Sequence, residues 1–210
     1  MGEYQVRIKV CGLTKRDDIR EACRLGVDAL GFILAASPRK VLLSEVSRMF
    51  DRLPPFVSRV AVVVNPSRAR LDQIIASHLF DYIQFHGEEE VDLLKRAADN
   101  GPGVIKAISV KAESDLALIE KYRNYTDYFL FDNSVKAQRG GTGTAFNWSL
   151  LNDYQIGKPF ILAGGLGPVN VLDAVQLLKP AAVDLNSKIE SRPGKKDFQL
   201  LQKVVDILKN

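Results

Sequence analysis

Two residues carry the proton chemistry that this sequence can do. Cys11 closes the β-branched run in Arg7-Ile-Lys-Val-Cys-Gly-Leu-Thr14, and Asp132 closes Tyr128-Phe-Leu-Phe-Asp132. A thiolate at the end of a strand can serve as a base or a nucleophile. A carboxyl that emerges from an apolar strand has a setting in which it can stay protonated and act as an acid. An acid and a base facing each other across a pocket are the minimum kit for moving a proton between two atoms of one substrate. Read alone, each residue also has a plainer role: Cys11 as a small buried hydrophobe, Asp132 as a cap on the loop that follows. Cys23, on the apolar face of an expected helix, has only the plainer role. With two cysteines, no Cys-x-x-Cys and no His-x-x-x-His, metal binding is not expected.

A second group of residues would hold a substrate rather than react with it. Ala163-Gly164-Gly165-Leu166-Gly167-Pro168 brings bare backbone amides between a strand and a helix expected to begin at Pro168, a combination suited to phosphate. Ser187 and its neighbours, after the last strand, would be the other half of that site. Arg39 in Ser37-Pro38-Arg39 offers a planar fork to a carboxylate. His86 in Gln84-Phe-His-Gly87 lines the same mouth or caps its strand, and His78 reads as a helix residue of no special role.

These residues need a scaffold that gathers strand ends. Strand-like runs cover Val6 to Cys11, Ala29 to Leu34, Arg59 to Val64, Tyr82 to His86, Val104 to Ile108, Tyr128 to Asp132, Phe160 to Ala163 and Ala182 to Leu185. Helical periodicity lies between them, as in Asp17 to Leu25 and in Ser44 to Leu53 with Ser44 as the expected N-cap. Asn133 to Asn147 reads as a long, polar, glycine-rich connection and a mobile loop, of a length that in compact domains often goes with function. Eight βα units across residues 1–210 predict a single-domain (β/α)₈ TIM barrel. An open doubly wound sheet is the alternative, although no dinucleotide glycine fingerprint follows the first strand. In a barrel, the ends of strands one, four, six and eight place Cys11, Gln84 to Gly87, Asp132 and Asp184 to Ser187 around one mouth.

Composition narrows the partners. Hydrophobic residues make up 46% and charged residues 26%, the latter without long same-sign blocks, so a folded body without a charged tail is expected. Lys and Arg number 29 against 25 Asp and Glu, giving +4. That mild excess comes without a basic stripe interleaved with aromatics, so nucleic acid is not an expected partner. No apolar run approaches the roughly 20 residues that span a bilayer. The start Met1-Gly2-Glu3-Tyr4-Gln5 lacks a signal-peptide pattern, so a cytoplasmic location with reduced thiols is expected.

Taken in order, the motifs resemble the phosphoribosylanthranilate isomerase family of tryptophan biosynthesis. They are Lys9-Val-Cys-Gly-Leu-Thr14, Gln84-Phe-His-Gly-Glu88, Gly140-Gly-Thr-Gly-Thr-Ala-Phe-Asn-Trp148, Ala163-Gly-Gly-Leu166 and Arg192-Pro-Gly-Lys-Lys-Asp197. The resemblance implies a cofactor-free Amadori rearrangement of a phosphosugar, N-(5-phosphoribosyl)anthranilate, by a monomer or homodimer. It makes Asp132 the general acid that protonates the ribose ring oxygen and Cys11 the base that removes the proton from C2. It gives Arg39 the anthranilate carboxylate, and adds His86, Gly143, Gly164, Gly165, Ser187 and Lys188 to the substrate-binding set. The chain departs from the family where Ser187-Lys188 replaces a usual Ser-Gly pair, in Ile33-Leu-Ala-Ala-Ser37, and at Asn147, which replaces a usual aspartate. Two rivals are another phosphosugar barrel, such as indoleglycerol phosphate synthase, and a non-catalytic phosphate-ligand binder. The first family uses lysine and glutamate at strand ends, where strand one here ends in Cys11. Turnover separates the second.

Overall fold

Eight parallel strands close on themselves in chain order: β1 (Arg7–Cys11), β2 (Ala29–Ile33), β3 (Ser58–Val63), β4 (Tyr82–Phe85), β5 (Gly103–Ser109), β6 (Tyr128–Asp132), β7 (Phe160–Leu162) and β8 (Ala182–Leu185). The protein is described from a computed structural model over residues 5–50, 53–132, 149–152 and 154–209. Between and after the strands lie α1 (Arg16–Arg24), α2 (Leu43–Met49), α3 (Arg68–Ala76), α4 (Val91–Asp99), α5 (Leu118–Tyr122), α6 (Ser149–Asn152), α7 (Val171–Leu178) and α8 (Phe198–Lys209). A hairpin, β9 (Glu190–Arg192) with β10 (Lys195–Lys196), is set between β8 and α8 and was not expected from the strand pattern. Among the described residues no helix is long and apolar enough to cross a membrane. The sheet is therefore the (β/α)₈ barrel that the βα alternation implies.

The period of two along each strand splits the side chains between two cores. Outward residues such as Ile8, Val10, Phe32, Phe85, Phe129 and Phe131 join helix residues such as Ile19, Leu71, Leu94 and Leu201 in one continuous outer core. Inward residues Val60, Ile105, Ala107, Leu130, Ile161 and Ala163 fill the barrel itself. Phe129 and Phe131 thus point away from the space that Asp132 enters. The apolar wrapping expected for Asp132 from the run Tyr128-Phe-Leu-Phe is reduced to Leu130 below it, because alternate residues of that run belong to the other face.

Element ends differ from the sequence reading in two informative places. Ser44 is not the cap of α2, which starts at Leu43; the Glu45 carboxylate takes the Leu42 N–H at 3.0 Å, and Ser44 sits inside the first turn. Pro168 is not the first residue of α7. It lies in a turn before Val171, because Asn170 Oδ1 accepts the Gly167 N–H at 2.9 Å and Asn170 Nδ2 donates to the Gly165 carbonyl at 3.2 Å. The Asn133 to Asn147 loop, with Gly143, lies outside the described residues.

The β4 loop that carries His86 is fixed by a buried charge network in the outer layer. Lys106 Nζ reaches Glu89 Oε2 at 2.7 Å and the Gly87 carbonyl at 2.6 Å. Glu89 Oε1 in turn accepts the N–H groups of Gly87 at 2.8 Å and Asn65 at 3.1 Å. Tyr122 donates its hydroxyl to the Glu89 carbonyl at 2.8 Å. Every charge here has a partner, which is the condition under which buried ions are tolerated.

At the opposite end of the barrel a groove of about 870 Å³ runs past Tyr82, Gly103 and Tyr128, and Phe56 stands beside it 99% exposed with φ at 67°. Removing the ammonium from the β4-loop network by Lys106→Met should cost about 3–5 kcal/mol, because Glu89 stays buried without its counter-ion. In a protein of this size that is a fall in Tm of roughly 6 °C or more, measurable by calorimetry.

Candidate active site

The strand ends bring most of the expected residues to one mouth, and β1 and β8 supply its floor. The parallel register sets Lys9 opposite Asp184 and Cys11 opposite Gly31. Lys9 and Asp184 are 2% and 8% exposed, and their charged atoms meet at 2.9 Å. Gly31 is there for space: a Cβ on it would sit 2.9 Å from Cys11 Sγ and 3.2 Å from Lys9 Nζ. Burial pushes the Cys11 thiol above its ordinary range; Lys9 opposes that shift, Asp184 adds to it, and Lys196 opposes it. Burial likewise pushes the Asp184 carboxyl up, with Lys9 resisting. Sequence reading missed Lys9 because a lysine in a strand reads as solvent-facing. Its position two residues before Cys11, hence on the same face, is the signal that could have found it.

Asp132 ends β6 with its carboxylate Oδ2 3.3 Å from His86 Nε2. The other imidazole nitrogen, Nδ1, accepts from the Gln84 amide at 2.9 Å. Gln84 is fully buried and inward, so the chain Gln84, His86, Asp132 fixes where the carboxyl points. Sequence reading placed His86 at the mouth and left Gln84 without a role.

Arg39, after β2, lies across the end of β1, and its Cδ would be 2.6 Å from a Cβ on Gly12. Its fork is engaged by Glu190: Nε lies 2.9 and 3.0 Å from the two carboxylate oxygens and Nη2 lies 2.5 Å from Oε2. Lys196 Nζ adds 2.8 Å to Glu190 and 3.0 Å to Asn186. Burial would raise the Glu190 carboxyl, but the hydrogen bonds from Arg39 and Lys196 outweigh it and hold the group below the usual carboxylate range. The hairpin that carries Glu190 and Lys196 is tied back to the β1 loop, where Thr14 donates to the Gly194 carbonyl at 2.8 Å, and to α1, where Asp18 accepts the Lys196 N–H at 3.2 Å. Arg39 therefore keeps three N–H groups for a ligand, two on Nη1 and one on Nη2.

Gly164 and Gly165 turn the chain after β7 with φ of 91° and 72°. Ser187 and Lys188, both exposed, follow β8 beside them. The Lys188 side chain runs along the glycine loop: its Cβ would touch a Cβ on Gly167 at 2.9 Å, and its Cε would lie 4.0 Å from one on Gly165. The loop amides expected to hold phosphate are reduced by one, since Asn170 already occupies the Gly167 N–H. Gly143 lies outside the described residues; the other site residues named from the sequence sit at the carboxyl ends of β1, β2, β4, β6, β7 and β8.

The floor pairs a thiol with a buried ammonium, and a carboxyl backed by an imidazole rises from β6. Such an arrangement can give a proton to one atom of a ligand and take one from another. The family model for N-(5'-phosphoribosyl)anthranilate (PRA) isomerase matches residues 8–207. The N-(5'-phosphoribosyl)anthranilate isomerase of Petrotoga mobilis is 52% identical over 201 residues, covering 96% of each chain. A phosphoribosyl anthranilate isomerase crystallised with reduced 1-(o-carboxyphenylamino)-1-deoxyribulose 5-phosphate superposes with a TM-score of 0.85 at 33% identity, over 97% of this chain and 98% of that one. Monomers generated from the dimeric enzyme of Thermotoga maritima give 0.85 at 31% identity, again over 97% and 98%. The chain belongs to the N-(5'-phosphoribosyl)anthranilate isomerase family of enzymes.

Proposed function

We propose that this isomerase of tryptophan biosynthesis works through Asp132 as general acid and Cys11 as general base. The observation that carries the reading is that β6 and β1 bring a carboxyl backed by His86 and a thiol beside Lys9 to the same mouth. The substrate is N-(5-phosphoribosyl)anthranilate. Asp132 gives its proton to the ribose ring oxygen as the C1–O bond breaks, and the nitrogen lone pair closes the C1=N double bond. The Cys11 thiolate then removes the C2 proton, and the electrons of that bond form C1=C2 while the iminium nitrogen is neutralised. The enol amine tautomerises to the ketone, and exchange with solvent returns Asp132 and Cys11 to their starting states. No electrons enter or leave, so these steps call for no redox cofactor.

The remaining residues bind and orient. Arg39 takes the anthranilate carboxylate through the edge that Glu190 leaves open, while His86 aims the Asp132 carboxyl and stands beside the sugar. Gly164, Gly165, Ser187 and Gly143 surround the phosphate. Lys188, whose side chain lies along the glycine loop, adds a cation where the family usually has glycine, so the phosphate grip here rests partly on charge. A cytoplasmic setting agrees with Cys11 and Cys23 both being free thiols. The groove at the amino-terminal end of the barrel and the bare Phe56 ring favour a homodimer over a monomer, with Phe56 of each copy seated in the other's groove.

Freshly generated substrate should lose its anthranilate-type fluorescence rapidly with the parent protein, and Cys11→Ala and Asp132→Ala should each lower kcat by about 100-fold or more. A folded parent that binds a substrate analogue, by thermal shift, yet converts nothing would leave a binder in place of the enzyme. Lys188→Gly should raise KM about fivefold and flatten its dependence on salt, as loss of one charge-assisted contact to phosphate requires. For assembly, Phe56→Asp should shift the mass seen by light scattering from dimer to monomer.

A further inference from the structure

Lys9 has no part in the acid and base steps, yet it is one of the most deeply buried side chains in the protein. An ammonium in the middle of a barrel is expensive unless something repays its desolvation. Asp184 neutralises it at 2.9 Å, but off the direction of a good hydrogen bond, so Lys9 Nζ and Asp184 Oδ1 both remain without a well-directed partner. An isolated structural pair would be expected to use those donors and acceptors on each other. Here the ammonium keeps donor capacity, and Lys9 Nζ and Cys11 Sγ border the same space, the one that the absent side chain of Gly31 leaves open.

We propose that Lys9 is the counter-ion of the Cys11 thiolate, a positioning residue that Asp184 holds under the base. The inference rests on Cys11 being the base of the isomerisation. Four charged groups act on the sulfur: Lys9 from β1, Asp184 from β8, Lys196 from the hairpin and Arg39 from the loop after β2. Arg39 and Lys196 are already neutralised in part by Glu190, and Asp184 in turn faces Asp132 and His86. Lys9 is therefore the cation that acts most strongly on the sulfur. When Cys11 ionises, the group of Lys9, Asp184 and Cys11 passes from neutral to a single negative charge shared around one ammonium. When the thiol takes the substrate proton, neutrality returns. In this arrangement Asp184 sets a limit: it pins Lys9 in place and at the same time opposes the thiolate, so the two members of the pair have opposite effects on the base.

That opposition supplies the test. In a Cys23→Ser background, the ultraviolet absorbance of the Cys11 thiolate is followed against pH, with a Cys11→Ser protein subtracted and no substrate present. Lys9→Met should move the thiol midpoint up by about one unit or more, and Asp184→Asn should move it down. Lys9→Arg should stay near the parent. The alkaline-going limb of kcat/KM should move with the midpoint in each case. If Lys9→Met does not fold, Lys9→Met/Asp184→Asn keeps the barrel neutral, and its midpoint should lie above that of Asp184→Asn alone. A midpoint that stays put, or that moves in the same direction in both single variants, overturns the counter-ion role while leaving Cys11 as base intact. Full activity in Cys11→Ala would instead remove the base assignment, whatever the titration shows.

Discussion

Everything at the mouth depends on the seam where the first strand meets the last. Opposing Lys9 to Asp184 fixes the β1–β8 register, and with a side-chain period of two that register decides which residues of β1 face the barrel interior. A slip of one residue would turn Lys9 and Cys11 into the outer core and bring Ile8 and Val10 inward. The ion pair makes such a slip costly, since it would place two charges among aliphatic side chains. The hydrophobic effect forms the two cores; the pair at the seam selects which face of β1 becomes the floor of the site.

The charges around that floor are arranged in two separate groups. One is the pair under Cys11. The other gathers Arg39, Glu190 and Lys196, whose side chains are joined by contacts of 2.5 to 2.8 Å. Glu190 occupies part of the arginine fork, so Arg39 is held in one orientation before any ligand arrives. A guanidinium fixed in advance loses less rotamer freedom when a carboxylate binds, which favours affinity without adding contacts. The same logic applies to Asp132, whose direction is set by His86 and, through it, by Gln84.

The sequence and the fold agree where local pattern is decisive. Tyr128 to Asp132 and Ala182 to Leu185 are read with their observed limits, because each is a short, mostly apolar run between polar or turn-forming residues. Helix starts were harder: Ser44 and Pro168 satisfy the usual preferences, but Glu45 and Asn170 supply the hydrogen bonds that set the true boundaries. In the site, Cys11 and Asp132 were legible because reactive groups at strand ends of a barrel have one place to go. Lys9 with Asp184, and Arg39 with Glu190, were not. Their partners are far apart in the chain, the latter 151 residues, and no local pattern pairs them. Gln84 was hidden for another reason, since its role exists only through the orientation of His86.

The hairpin after β8 has a consequence for how the protein is made. Lys9 and Cys11 leave the ribosome long before Asp184, Glu190 and Lys196, and Thr14 and Asp18 likewise wait for Gly194 and Lys196 of the hairpin. Until β8 is made, β1 can take its register only from β2, Lys9 lacks its counter-ion, and the other edge of β1 has no strand to pair with. The floor of the site is assembled in a single late event, when the last strand closes on the first. The meeting of Lys9 with Asp184 beside Cys11 is in this sense a report that the barrel has shut.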